Sequence, residues 1–107
     1  MMRVMTTQPS YFLVRLIAPR PTFMQDMTAD ERAVMQEHGT YWRGKLAEGA
    51  VIAFGPVADP QGPWGLGLIK GRDVAEVRGF EAGDPAVTKL GMHYEILPMV
   101  TLVYAGA

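Results

Sequence analysis

Residues 51–70 read VIAFGPVADPQGPWGLGLIK, which is two apolar segments joined by a turn-rich loop. Residues 51–58 and 64–70 are rich in branched and aromatic side chains, and this composition favours strands. The prolines and glycine of residues 60–63 favour a turn between them. The segment therefore predicts a β-hairpin whose loop is longer than the tightest type.

A helix and a strand are predicted before this hairpin. Thr28 is followed three residues later by Glu31, which is the pattern of a capping box at a helix start. Gly49 stands where a C-terminal cap is expected, so the helix should end at about residue 48. The first strand is predicted at residues 11–17, which read YFLVRLI, and the proline-rich residues 18–21 stop it.

A second helix and a last strand are predicted after the hairpin. Asp73 can cap a helix over residues 74–81, and the Gly-Asp-Pro at 83–85 interrupts it and starts a short helical turn. The last strand is predicted over residues 94–104, with Pro98 marking a bulge or a missing ladder bond. The order is βαββαβ, which is that of a ferredoxin-like α+β sandwich with a four-stranded antiparallel sheet and two helices on one face.

The last strand is apolar on both of its faces. One face carries Ile96, Val100, Leu102 and Tyr104, and the other carries Leu97, Met99 and Val103. Two helices cover only one face of such a sheet, and the other face would be polar if it met water. We therefore expect the sheet of a second copy to cover it in a two-fold homodimer. The alternative is a small apolar face that stays uncovered.

Composition limits the classes of function. The 107 residues are 49% apolar and 20% charged, which is ordinary for one folded domain. Ten basic and eleven acidic residues give a net charge of −1, so nucleic acid is not an expected partner. There is no cysteine, which excludes disulfides, thiolate metal sites and cysteine nucleophiles. The sole serine, Ser10, makes a serine triad implausible.

The start of the chain does not resemble a secretory signal, because residues 1–10 lack a sustained apolar run. No segment approaches the roughly 20 apolar residues that cross a bilayer. We expect a flexible leader at residues 1–10, a single domain at residues 11–105, no membrane partner and a cytoplasmic location.

His38 lies in the middle of an apolar arc on the first long helix. At about 100° per residue this arc also carries Val34, Met35, Tyr41, Trp42 and Leu46. The imidazole could be held in the core by a hydrogen bond, or it could project into a cavity between helix and sheet. Periodicity alone favours the structural role, because histidines are intermediate in burial.

Asp84 is the candidate partner of His38. A carboxylate within hydrogen-bond reach would fix the imidazole tautomer and favour its charged form, as general acid–base chemistry requires. Asp84 followed by Pro85 is also typical of a helix N-terminus, with aspartate as the cap and proline at the first helical position. Local sequence by itself favours the cap.

Other candidates are weaker. Arg15 is the one charge in the first strand and could bind an anion, although an outward-pointing arginine explains it equally well. His38 and His93 lie on separate elements without a carboxylate at ligand spacing, so we expect no metal. Gly65 and Gly67 lie in a strand and precede no helix, so they do not form a phosphate-binding loop.

Four short motifs occur in a particular order along the chain. They are EHG at 37–39, FGPV at 54–57, GDP at 83–85 and ILP at 96–98. Together they resemble the YCII-related (YciI-like) domain family, small proteins of the dimeric α+β barrel superfamily. The resemblance covers residues 11–104, and the loop at residues 20–27 is longer than the family pattern implies.

The resemblance implies a site and an activity. His38 would be the acid–base residue and Asp84 its orienting carboxylate, in a cleft between helices and sheet near the dimer interface. Arg15, Tyr41 and Trp42 would bind the substrate. A few members act as lyases or dehydrochlorinases on hydroxylated aromatic rings, so a small cyclic or aromatic metabolite is implied, and we expect the chain to act on it without a cofactor. Two alternatives remain open, a non-catalytic dimeric domain that binds a small ligand and a histidine that only packs in the core.

Overall fold

The computed structural model describes residues 10–106 and shows the predicted order of elements, with one additional short helix. The elements are β1 Ser10–Ile17, α1 Phe23–Asp26, α2 Ala29–Glu48, β2 Val51–Val57, β3 Trp64–Gly71, α3 Val74–Ala82, α4 Pro85–Leu90 and β4 His93–Met99. The strands form one antiparallel sheet in the order β2-β3-β1-β4. The predicted ferredoxin-like α+β class is therefore confirmed. The predicted leader lies outside the described residues except for Ser10, which begins β1.

The ends of α2 are set by the local signals in the sequence. The Thr28 hydroxyl accepts the N–H of Glu31 at 3.1 Å, and Glu31 Oε1 accepts the N–H of Thr28 at 2.9 Å. Gly49 adopts φ 88°, a left-handed conformation that glycine reaches without steric cost. The predicted capping box and the predicted C-terminal cap are both confirmed.

The core lies between the helices and one face of the sheet. In β1 the side chains of Phe12, Val14 and Leu16 are buried, and they alternate with half-buried residues on the other face. Trp42 of α2 is 2% exposed and packs against Phe80 of α3, with ring centroids 4.8 Å apart. Burial of such aromatic rings supplies a large share of the apolar area removed from water.

The last strand is shorter than predicted. β4 ends at Met99, which pairs with Tyr11 near the start of β1, so residues 100–104 have no described strand beside them. Pro98 causes no shift in register, because β4 is an edge strand and a missing N–H is tolerated there. The prediction that residues 100–104 belong to the strand is therefore wrong.

Two further expectations about helices need correction. Leu46, predicted on the buried arc of α2, is 43% exposed, because Trp42 is the last fully buried residue of that helix. The loop at residues 20–27 contains the short helix α1, whose Phe23 is buried. Among the described residues, no helix is long and apolar enough to cross a membrane.

The second face of the sheet carries apolar side chains that the helices do not cover. We call this the outer face. It includes Leu13 of β1 and its register partner Leu97 of β4, and Leu97 is 52% exposed. Val14, the neighbour of Leu13, faces the helices and is fully buried. The alternation of buried and half-buried residues along β1 thus separates the two faces of the sheet.

Candidate functional site

Asp84 is a fully buried carboxylate at the start of α4. Its Oδ1 accepts the backbone N–H of Ala86 at 2.9 Å, which caps the helix. Its Oδ2 accepts the indole N–H of Trp42 at 2.8 Å and the hydroxyl of Tyr94 at 2.5 Å. His38 Nδ1 lies 2.9 Å from Oδ1 and 3.0 Å from Oδ2. The carboxylate therefore has donors from α2, α4 and β4.

These donors explain how a fully buried aspartate stays ionised. Burial alone would raise the pKa of Asp84, but the hydrogen bonds from His38, Tyr94 and Trp42 outweigh it and hold that pKa below its usual value. Burial and the neighbouring carboxylate of Asp84 together raise the pKa of Tyr94, so the phenol remains a donor. Asp84 is accordingly an anion with a fixed orientation.

His38 connects this carboxylate to a cavity. Its ring lies 5.8 Å from that of Trp42, centroid to centroid, and its side chain is 14% exposed. Because an ionised carboxylate only accepts hydrogen bonds, Nδ1 must carry a proton to bond to Asp84. In the neutral ring Nε2 then carries the lone pair, and it can accept a proton from a molecule in the cavity.

The cavity has a volume of about 260 Å³ and lies between α2, α1 and the β2–β3 edge of the sheet. Its lining residues are Leu16, Ala18, Phe23, Met24, Met27, Met35, His38, Trp42, Phe54, Gly55, Pro56, Pro63, Trp64, Gly65, Leu66 and Met92. Among the described residues, His38 is the one titratable side chain of this lining. Four aromatic rings and four methionines provide flat and adaptable apolar walls.

The short helix α1 forms one wall of the cavity, and Arg20 fixes its position. The guanidinium of Arg20 donates to Asp26 Oδ1 at 2.7 Å and to both carboxylate oxygens of Glu31 at 2.7 and 2.8 Å. The bond from Arg20, followed by that from the Thr28 backbone, lowers the pKa of Glu31 to about 2. The same arginine therefore connects the segment at residues 20–27 to the first turn of α2.

The structure places the five predicted site residues in different regions. His38 and Asp84 are hydrogen-bonded to each other, and Trp42 both lines the cavity and donates to Asp84. Arg15 lies on the outer face, 3.1 Å from Glu95 Oε1 and stacked on Trp64, and does not line the cavity. Tyr41 donates its hydroxyl to the carbonyl of Phe80 at 2.8 Å and also lies away from the cavity.

Tyr94 is a member of the site that the sequence analysis did not single out. Its side chain points to the helices because it pairs with Leu16, a buried residue of β1. The period of two along β4 places Tyr94 on the same face as Ile96, so its side of the sheet could be inferred from the sequence. Its contact with Asp84 could not, because that contact depends on how α4 packs.

Comparison with protein families accounts for the order of the motifs. The model of the YCII-related domain matches residues 11–100, from β1 to the residue after β4. Comparison with curated proteins gives no match. The matched range contains His38, Asp84 and every described strand apart from the first residue of β1. The chain therefore belongs to the YCII-related domain family.

Proposed function

We propose that this YCII-related domain is a cofactor-independent enzyme that moves a proton on a small cyclic or aromatic metabolite, as lyases and dehydrochlorinases do. His38 is the acid–base residue, and Asp84 holds it. One observation carries the proposal: His38 bonds a buried carboxylate through Nδ1 and lines an apolar cavity, so that Nε2 is left for a ligand. A positioned acid–base group contributes about 10²- to 10⁴-fold to a rate.

The chemistry that this pair supports is an elimination. Nε2 of His38 accepts a proton from an acidic C–H or O–H of the substrate, and the electron pair left behind forms a new double bond as the leaving group departs. The imidazolium that results is stabilised by Asp84 at 2.9 Å. The proton on Nε2 then passes to the leaving group or to solvent, which restores the neutral ring.

The cavity supports an uncharged and largely apolar substrate. Its volume of about 260 Å³ is close to the lower end of the range for small-molecule sites. Trp42 and Phe54, whose ring centroids are 5.5 Å apart, provide aromatic faces on which a ring can stack. No Lys or Arg of the part of the chain that the structure describes lines this cavity to offset a carboxylate or phosphate. Arg15 and Tyr41 are left out of the proposed site because both lie elsewhere.

A second candidate function is that of a non-catalytic domain that binds a small ligand. It is favoured by the same lining, since His38 is its one titratable side chain among the described residues and no second acid or base faces it. In this case Nε2 would form a hydrogen bond with the ligand and transfer no proton.

We also propose that a second copy of the chain covers the outer face. This proposal is supported by the exposed Leu97 beside Leu13, and by the resemblance to the dimeric α+β barrel superfamily. A two-fold interface is self-complementary, so the same apolar residues of both copies would meet across it.

The function can be tested with a panel of uncharged hydroxylated aromatic compounds. Compounds that bind the native state raise its melting temperature, and those that do so are then assayed for turnover with wild type and His38→Gln. The enzyme predicts turnover that falls at least about 100-fold in His38→Gln while binding persists. Binding that needs His38, with no turnover by wild type, would favour the ligand-binding domain. If none of these compounds binds and anionic analogues bind instead, both the enzyme and the domain that binds an uncharged ligand are contradicted.

A further inference from the structure

The hydroxyl of Tyr94 is buried beside the carboxylate of Asp84. The side chain is 2% exposed, and its O–H donates to Asp84 Oδ2 at 2.5 Å. The same oxygen lies 3.0 Å from Nδ1 of His38. Because the indole N–H of Trp42 also donates to this oxygen at 2.8 Å, three donors meet at one oxygen of a fully buried carboxylate.

A hydrogen bond to a carboxylate draws negative charge toward the donor. Negative charge of Asp84 that is drawn toward Tyr94 stabilises a protonated His38 imidazole less well. This effect is larger in a buried site than in water. Without the phenol, Asp84 would hold the imidazolium more strongly, and it would have one contact fewer to keep its carboxylate plane in place. Tyr94 therefore affects both the orientation of the carboxylate and the basicity of the ring.

We propose that Tyr94 is a positioning residue, whose hydroxyl orients Asp84 Oδ2 and weakens the electrostatic stabilisation that Asp84 gives to protonated His38. The ring of His38 can then accept a proton, and the resulting imidazolium can release it again. The mechanistic value of this arrangement rests on the function proposed above, but the electrostatic effect of Tyr94 on His38 does not.

The other charged and titratable groups on the neighbouring elements do not replace Tyr94 as a donor to Asp84. Lys89 of α4 lies 2.7 Å from Glu37 of α2, so these two exposed charges largely offset each other. Tyr41 of α2 uses its hydroxyl for the carbonyl of Phe80. Glu81 of α3 accepts the backbone N–H of Tyr94 at 2.7 Å and pairs with Arg78. In the part of the chain that the structure describes, Tyr94 is the one phenol that bonds to Asp84.

The test compares the NMR titration of His38 in wild type, Tyr94→Phe and Tyr41→Phe. Loss of the Tyr94 hydroxyl should move the midpoint of the His38 titration upward by about half a pH unit, which is about a threefold change in its proton affinity. Tyr41→Phe removes a hydroxyl from a neighbouring ring without changing the donors of Asp84, so the wild-type midpoint should be kept. A midpoint that is unchanged or lower in folded Tyr94→Phe would overturn the proposal.

A second measurement serves if Tyr94→Phe does not fold. Incorporation of 3-fluorotyrosine keeps all four tyrosines and makes each phenol a stronger donor, so the His38 midpoint should fall below that of the unmodified protein. A midpoint that stays constant or rises would count against Tyr94. Neither experiment depends on a substrate. If the protein is active but Tyr94 has no effect on His38, only the Tyr94 proposal fails. If the protein has no activity but Tyr94 does affect His38, only the proposed function fails.

Discussion

At Asp84, a single carboxylate serves two elements. One oxygen caps α4 through the N–H of Ala86, and the side chain also bonds His38 of α2. From sequence, these looked like competing explanations of an Asp-Pro pair, and the structure shows both contacts at once. The cap holds the carboxylate in the orientation in which it meets His38, so the helix start helps to orient the pair.

Replacement of Asp84 by Asn should make stability less sensitive to acid. The folded-state pKa of Asp84 is lowered, so its contribution is present above the unfolded value of about 3.9 and is lost as pH falls through the folded value. Asp84→Asn should cost about 1.5–3 kcal/mol at pH 7, because it weakens hydrogen bonds to a charged group. The difference from wild type should shrink as the pH falls below about 4, as measured by urea unfolding at fixed protein concentration.

Asp73→Asn provides the control for this measurement. Asp73 caps α3 from an exposed position, and asparagine is an equally good cap. This variant should follow the wild-type dependence on pH. An Asp84→Asn protein that loses stability in acid as steeply as wild type would show that Asp84 is not ionised in the folded state.

Gly67 of β3 should tolerate no side chain, because the ring of Trp42 lies directly over it. A Cβ at this position would fall well inside van der Waals contact with the six-membered ring of Trp42. Gly67→Ala should therefore destabilise the fold by about 1–3 kcal/mol and displace the donor that Trp42 gives to Asp84. Gly44→Ala in α2 meets open space and should instead stabilise by up to about 1 kcal/mol. Equal stability of the Gly67→Ala variant and wild type in denaturant would contradict the packing described.

At the scale of elements, the segment at residues 20–27 depends on Arg20 for its position against α2. Arg20→Met removes its bonds to Asp26 and Glu31 together, and amide hydrogen exchange in residues 20–27 should become faster while exchange in β1 stays unchanged. Arg72→Met, which loses an exposed pair with Glu76, should leave this segment as it is in wild type. Equal exchange in wild type and the Arg20→Met variant would show that Arg20 does not fix the position of α1.

Local signals predict the elements that depend on local contacts. The ends of α2 follow from Thr28, Glu31 and Gly49, which act within one turn of the chain. The end of β4 cannot be predicted from local signals, because it depends on the length of β1, the strand that pairs with it. Likewise, Asp84 is predictable as a cap, whereas its bond to His38, 46 residues earlier, is one candidate pairing that local sequence does not favour and that family resemblance supports. The contact of Tyr94 requires the packed position of α4.

At the scale of the whole molecule, the outer face should form the dimer. Leu97→Lys places a charge among the apolar side chains of that face and should dissociate the dimer at micromolar concentration, as measured by sedimentation. Leu46→Lys is the control, because Leu46 is a similarly exposed leucine that lies on α2 and away from the sheet. If wild type is monomeric, or if both variants remain dimeric, the second copy does not bind through this face.

The site combines contributions from α2, α4 and β4 with a cavity wall from α1, so its geometry depends on the complete fold. The measurement that tests the pairing most directly is the ¹⁵N chemical shift of the two ring nitrogens of His38, recorded at a pH high enough to leave the ring neutral, with His93 as the exposed internal reference. Bonding to Asp84 predicts that the neutral form of the ring carries its proton on Nδ1 and its lone pair on Nε2, and that this preference is lost in Asp84→Asn. A wild-type ring that carries its proton on Nε2 would contradict the account.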